Sequence, residues 1–317
     1  MPGEFRIIEE FFSRDTKADG LVLGIGDDGA VLRPREGFDQ VVATDTIVAG
    51  RHFPASLAAE DIGWRALAVN LSDIAAMGAT PRFAFLNLTL ANADTKWLRD
   101  FSRGFFELAE MSKTVLAGGD TTQGPLSITV TVIGEVPADE AITRSRAQPG
   151  DLVCVSGTPG DAAAGLELLM QGAGLDHPLV QRFRRPMPRL QLGANLRGRA
   201  TAAIDISDGL LADLQHVLKA SGVGARIELD RLPVSAALDE YSKDAKDFVL
   251  AGGDDYELCF CLPPAQLQVL QADDNGCEIT VIGEIVAEPE LAIVDADGKR
   301  YEPKRHGWEH FRMDAES

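Results

Sequence analysis

Segments with apolar residues at helical spacing alternate with short β-branched runs along this 317-residue chain. That alternation constrains the fold most, because helices and strands each have an apolar face to bury and α/β or α+β layering buries both. Phe5, Ile8, Phe11 and Phe12 mark an opening amphipathic helix, and residues 40–48 read as a strand. A helix is expected over 59–77, with Gly78 just past its end and Pro81 blocking continuation. Leu86, Leu88 and Leu90 share one face of the next strand. A helix near 94–113, a strand running into Ala117-Gly-Gly-Asp120 and a strand over 128–136 follow. The polar, basic, turn-rich stretch TRSRAQPGD marks a domain boundary, dividing 1–148 from 149–317. Beyond it come a strand at 152–156, a helix at 160–170 and a loop over 171–185.

The halves echo each other. Ser72-Asp73 recurs as Ser207-Asp208, Gly-Gly-Asp ends at Asp120 and at Asp254, and TVIGEV near residue 131 returns as TVIGEI near residue 280. The echoes suggest two related α/β lobes.

Lys plus Arg number 30 against 49 for Asp plus Glu, a net charge of −19. So acidic a surface repels polyanions, which argues against nucleic-acid and anionic-membrane binding. The longest charge-free run, fifteen residues over 258–272, contains two prolines and is too short to span a bilayer. The first residues, MPGEFRIIEEFF, lack a basic start and an apolar stretch, so a cytoplasmic protein is expected. Cys154, Cys259, Cys261 and Cys277 are too few for a disulfide framework and read as small buried hydrophobes. His306 and His310 have a helical metal spacing but no third ligand nearby.

Gly24-Ile-Gly-Asp-Asp-Gly29 satisfies the dinucleotide-binding pattern, yet Pro34 follows too soon for a long helix. Two aspartates beside a bare pyrophosphate would repel it, by about 4 kcal/mol per pair at 4 Å and a dielectric near 20. Asp27 and Asp28 therefore either face solvent or hold a cation. Other acids recur among small residues and turn formers after apolar runs: Asp45, Asp73, Asp120, Asp205, Asp208, Asp254 and Asp255. A solvated surface explains most single acids, but these sit in Gly-rich, apolar surroundings without adjacent Lys or Arg. Oxygen-only donors suit Mg²⁺ or Mn²⁺, and neighbouring glycines let backbone N–H groups approach a phosphate. A phosphate site neutralised by metal ions is expected. No GxxxxGK[ST] loop and no protein-kinase HRD or DFG signature is present.

In order along the chain, the segments GEFRIIEEFF, GIGDDGAVL, TDTIVAGRHF, ALAVNLSDIAAMGA, LAGGDTTQGPLSITVTVIGEV, TRSRAQPGD, VSGTPGDAAAGL, IDISDGLLADL, GARIELD, GGDDYELCF and HGWEHF cover nearly its whole length. Together they resemble the thiamine-monophosphate kinase family, in the superfamily of aminoimidazole ribonucleotide synthetase and selenophosphate synthetase. The resemblance implies a two-lobed α/β subunit with an aminoimidazole-ribonucleotide-synthetase-like fold, working as a homodimer whose N-terminal sheets meet. It implies direct, in-line transfer of the γ-phosphoryl group of ATP to thiamine phosphate with several Mg²⁺ ions.

By motif position, Asp28, Thr44, Asp45, Asp73, Asp120, Asp205 and Asp208 would hold metal, with Asp73, Asp120 and Asp208 central to catalysis. Gly119, Asp120, Arg144 and Ser207 would contact ATP, and His52, Asp254 and Trp308 thiamine phosphate. Ala43 stands where relatives often carry a hydroxyl, and Asp254 where the family form is Glu, one methylene longer. The rivals are a sister ATP-dependent synthetase and a catalytically silent nucleotide- or metal-binding regulator. A selenophosphate synthetase would carry a reactive residue near its N-terminus, whereas the first cysteine here is Cys154.

Overall fold

The structure is a computed structural model that describes residues 3–14 and 18–304. Two compact units divide at Ala141 and Ile142. The first opens with α1 (Glu4–Ile7), which runs into a π-helical turn at Ile8–Phe12 that buries Phe11 and Phe12. A small antiparallel pair, β1 (Leu21–Leu23) and β2 (Val31–Leu32), follows. The main sheet has the order β3 (Phe38–Val48), β6 (Ser127–Pro137), β4 (Thr80–Leu90), β5 (Val115–Gln123). Within it β6 is antiparallel to both neighbours, while β4 and β5 are parallel. The helix of eighteen residues between β3 and β4, α2 (Ala59–Ala76), is buried on nearly every side. Such a helix lies between layers rather than on a surface. The sheet packs on one side of α2 and α3 (Thr95–Ser112) on the other. Asp94 caps α3 by accepting from the N–H groups of Lys96 and Trp97. The predicted helices and strands of this half are all present. The GGD segment, however, lies inside β5 rather than at its end, because that strand continues to Gln123 beside β4.

The second unit has a six-stranded sheet in the order β12 (Leu291–Val294), β9 (Gly224–Glu228), β11 (Ile279–Val286), β7 (Leu152–Ser156), β10 (Glu257–Leu262), β8 (Ala202–Ile206). All its pairings are antiparallel except β9 with β12. The helices are α4 (Asp161–Met170), α5 (Pro178–Arg184), α6 (Leu190–Leu196), α7 (Leu210–Ser221), α8 (Ala236–Tyr241), α9 (Ala245–Ala251) and α10 (Pro264–Ala272). Every residue of β8 and β10 is buried, as in strands covered on both faces. The turn-rich stretch begins this unit: Thr143 accepts from Ala203 N–H beside the β8 edge, and Ser221 Oγ donates to the Arg144 carbonyl. One expectation fails here. Residues 171–185 are not all loop, since α5 forms with Pro178 in its first turn, His177 as its cap and Leu179, Val180 and Phe183 buried. Seven residues are too few for periodicity to reveal a helix that tertiary burial stabilises.

The internal echoes divide. TVIGEV lies in β6 and TVIGEI in β11, each antiparallel to both neighbours and each with a register shift nearby. Ser72-Asp73 is instead inside a helix and Ser207-Asp208 in a turn, while Asp120 is in a strand and Asp254 in a loop. Cys154, Cys259 and Cys261 are buried, and Cys259 and Cys261 belong to the hydrophobic core. No described helix is long and apolar enough to cross a membrane.

Candidate active site

In the first unit, strand alternation separates two neighbours. Asp45 lies on the β3 face that carries buried Val41 and Ile47, while Thr44 lies on the exposed face, its hydroxyl donating to Thr131 Oγ1 at 2.9 Å. The Asp45 N–H donates to Asn70 Oδ1 at 3.0 Å, and Asn70 is fully buried on α2. Asp73 follows Asn70 by one helical turn, half-buried. Asn70 thus sets Asp45 against the helix that carries Asp73.

Gly119 and Asp120 lie on β5, the opposite edge of the sheet. The register aligns Asp45 with Val130, Val130 with Leu86 and Leu86 with Gly119. Three strand spacings hold the Asp45 and Gly119 backbones roughly 14 Å apart along the sheet. Asp27 and Asp28 are exposed in the β1–β2 loop, where Asp28 N–H donates to Asp27 Oδ1 at 2.9 Å. The strand β2 follows this loop, so the glycine pattern opens no helix for a pyrophosphate. His52, just past β3, accepts the Val48 N–H on Nδ1 at 3.0 Å, which assigns the proton of a neutral ring to Nε2.

In the second unit two loops distant in sequence are clasped together. The turn Ser207-Asp208-Gly209 joins β8 to α7, and residues 252–256 lead into β10. The Asp254 N–H donates to the Ser207 carbonyl at 2.8 Å and the Tyr256 N–H to that of Ile206 at 2.9 Å. Asp254 and Tyr256 both adopt positive φ, 67° and 55°, a costly conformation for non-glycine residues that concentrates at functional sites. The Tyr256 hydroxyl donates to Asp254 Oδ1 at 3.1 Å. Gly209, at φ 124°, passes so close to Ala251 that a Cβ would lie 2.8 Å from its carbonyl oxygen. Buried Asp205 on β8 and half-buried Ser207, Asp208 and Asp254 therefore share one end of the sheet. Arg144 is exposed, on the segment laid against α7.

At this end the backbone N–H groups of the turn meet a carboxyl of the chain itself. Three of them, on Ser207, Asp208 and Gly209, donate to Asp213 Oδ2 at 3.0, 3.1 and 3.1 Å. At the start of α4 the N–H groups of Gly160 and Ala162 donate to the Asp255 carboxylate at 2.6 and 3.1 Å. Both helix N-termini are filled from within. Burial, then the charges of Asp205 and Asp208, push the Asp213 carboxyl up to about 7 against the pull of the Asp208 and Gly209 N–H groups. Burial likewise raises that of Asp255.

Asp213 was not among the residues singled out from sequence. The signal was present, since Asp213 falls on the apolar face of α7 with Leu210, Leu214 and Val217. Glu257 also escaped notice. Fully buried, it accepts from Ser156 Oγ, Arg182 Nη2, and Arg189 Nε and Nη2, at 2.5 to 2.6 Å. An acid two residues after Asp255 in GGDDYEL gave no sign that its arginines lie 75 and 68 positions away.

Among the described residues no three His, Cys, Asp or Glu side chains are gathered as a metal-binding group. The acids of each unit nonetheless offer only oxygen donors, a set that fits Mg²⁺. With both N-termini occupied by carboxylates, a bound polyphosphate would need positive charge from another source. Trp308, and the pair His306 and His310, lie outside the described residues.

A family model of the AIR synthase related protein N-terminal domain matches residues 26–136, and that of the C-terminal domain residues 148–296. The thiamine-monophosphate kinase of Salmonella typhimurium is 44% identical over 320 residues, 98% of each chain. This chain belongs to the thiamine-monophosphate kinase family. The crystal structure of the thiamine-monophosphate kinase from Stenotrophomonas maltophilia K279a is 45% identical with a TM-score of 0.84, covering 94% of this chain and 96% of that one. AaThiL, solved as a complex with AMPPCP and TMP, is 32% identical with a TM-score of 0.78, covering 97% and 95%. The hydrogenase maturation protein HypE, solved with ATP, shares the fold at 19% identity and a TM-score of 0.79. Thiamine-monophosphate kinases and HypE thus share one architecture, and the likeness to HypE speaks to the fold alone.

Proposed function

We propose that this chain transfers the γ-phosphoryl group of ATP to thiamine phosphate, yielding thiamine diphosphate and ADP. The observation that carries the reading is identity to thiamine-monophosphate kinases over the whole length. Likeness to AaThiL in its complex with AMPPCP and TMP supports it.

An oxygen of the acceptor phosphate bonds to the γ-phosphorus as the bond from that phosphorus to the β,γ-bridging oxygen breaks, and its electron pair leaves with ADP. The acceptor's second pKa, about 6, leaves it mostly dianionic at neutral pH, so it needs no general base. Positioning carries most of the catalysis, and transfer is direct, without a phosphoenzyme. Mg²⁺, held by Asp28, Asp45, Asp73, Asp120, Asp205 and Asp208, would neutralise the repulsion between the two phosphate groups. Thr44 joins that set less readily, its hydroxyl being turned to the other sheet face. Gly119, Asp120, Arg144 and Ser207 contact ATP, Arg144 as a donor to phosphate. His52 donates from Nε2 to the acceptor phosphate. Asp254, its carboxylate held by Tyr256, offers a negative charge to the thiazolium cation, and Trp308 is assigned to the same substrate as an aromatic partner.

The active form is a homodimer. The exposed face of the first sheet supports this, with Val42 60% exposed on the edge strand β3. A cytoplasmic location fits an ATP-consuming reaction and four free cysteines.

A coupled assay tests the reading. ADP should form only with thiamine phosphate, not with aminoimidazole precursors or selenide, and no ADP with thiamine phosphate would sink it. Asp120→Asn and Asp73→Asn should abolish turnover with an unchanged circular dichroism spectrum. Trp308→Ala should mainly raise KM for thiamine phosphate. A phosphorylated enzyme passing its label to the acceptor would overturn direct transfer.

A further inference from the structure

We propose that Asp213 is a positioning residue, whose buried carboxylate occupies the anion nest of the Ser207–Gly209 turn and so fixes the Ser207 and Asp208 side chains for the metal-bound nucleotide. The inference rests on the assignment of Ser207 and Asp208 to nucleotide and metal made above.

Three successive N–H groups point at one oxygen, Asp213 Oδ2, at the start of the twelve-residue helix α7. Such a concave array of N–H groups at a helix start is ordinarily a phosphate site. Here an internal anion fills it, and Asp213, only 3% exposed, is itself screened from any ligand. Both backbone polar groups of Ser207 are spoken for, its N–H by Asp213 and its carbonyl by the Asp254 N–H. Gly209 is hemmed in by the Ala251 carbonyl. The turn therefore cannot rotate its peptide planes toward a phosphate oxygen. What it presents to a ligand is oxygen, the Ser207 hydroxyl and the Asp208 carboxylate among it, groups that suit a cation-bound nucleotide rather than a bare anion. Asp213 decides which of the two chemistries the turn performs. Its removal would leave three N–H groups without an acceptor and return the turn to an anion binder.

Asp213→Ala and Asp213→Asn, compared with Asp208→Asn, test this, with folding followed by circular dichroism. Loss of the internal anchor should lower kcat or raise KM for MgATP in Asp213→Ala by about 10- to 100-fold, the scale of a small misplacement of reacting groups. KM for thiamine phosphate should change by clearly less than that for MgATP, because Asp254 meets the turn only through its backbone N–H on the Ser207 carbonyl. Added formate, a carboxylate small enough for the vacated nest, should restore part of the rate in Asp213→Ala while leaving the wild type and Asp208→Asn unchanged. Asp213→Asn, which keeps an acceptor oxygen but not the charge, should fall between the two. A folded Asp213→Ala enzyme with wild-type constants overturns the proposal, and so does one impaired for both substrates alike without response to formate. If the alanine variant does not fold, the asparagine variant decides: a selective rise in KM for MgATP supports the proposal and unchanged constants overturn it. Wild-type kinetics in Asp208→Asn would instead remove the site assignment beneath it, a result distinguishable from failure at Asp213 alone.

Discussion

Glu257 is completely buried, and two arginines share its charge. The Arg182 and Arg189 side chains are 23% and 13% exposed, so solvent screens little of the interaction. Replacing one partner of a buried ion pair leaves an uncompensated charge and costs about 3–5 kcal/mol. Glu257→Gln should therefore lower the unfolding free energy by that amount, read as a lower urea midpoint at unchanged slope, whereas replacing a surface acid such as Glu36 should change it by at most about 0.5 kcal/mol. The cysteines yield a second prediction at this scale. Burial pushes the Cys154 thiol up to about 12 and that of half-buried Cys277 up to about 11, and also raises Cys259 and Cys261. A thiol is nucleophilic only as thiolate, and at pH 8 a group titrating near 11 is ionised in about one molecule per thousand. Native protein at pH 8 should thus react with a disulfide reagent slowly and at Cys277 first, and at all four only after denaturation. Rapid modification of Cys154, read by mass spectrometry, would contradict that burial. Raising the pH toward 11 should accelerate reaction at Cys277.

The contact between α2 and α3 shows how an element depends on residues that carry no side chain. A Cβ on Gly63 would overlap the Phe101 carbonyl oxygen, and one on Gly104 that of Glu60. The two helices approach backbone to backbone at these positions. A glycine-to-alanine change inside a helix ordinarily gains about 1 kcal/mol from propensity. Overpacking costs about 1–3 kcal/mol and falls here on rigid backbone, so the clash should win. Gly63→Ala and Gly104→Ala should each lower the melting temperature, at roughly 2–4 °C per kcal/mol for a unit of this size. An increase in either would mean the helices separate freely. The eighteen-residue bounds of both helices were legible to within a residue or two from apolar spacing, Gly78, Pro81 and the Asp94 cap. Their crossing was not, because a glycine in a helical pattern looks the same whether it faces solvent or another backbone. The helix α5 escaped for the related reason that three buried apolar side chains in seven residues make no periodic signal.

Over the whole molecule, the acids and the charge of −19 pose one electrostatic problem: an anionic protein binds two anionic reactants. The filled helix N-termini of α4 and α7 sharpen it, because the usual backbone remedy is already consumed by Asp255 and Asp213. Turnover should therefore vanish on chelation of divalent ions and return with Mg²⁺. Activity undiminished by a chelator would refute the metal assignment. Light scattering should give a particle of twice the 34.0 kDa chain mass, and a monomer would remove the proposed role of the exposed sheet face. The helices and strands of the first unit, the strand β7 and helix α4 that open the second, and the family could be read from the chain itself, because periodicity, turn chemistry and motif spacing are local properties. Tertiary structure alone decided which face of β3 is covered, that Asp45 and Asp120 stand on opposite sheet edges, and that the Asp213 carboxyl accepts the N–H groups of the turn before α7. Those outcomes depend on which strands become neighbours and which N–H groups must be satisfied once water is gone, and local sequence carries neither.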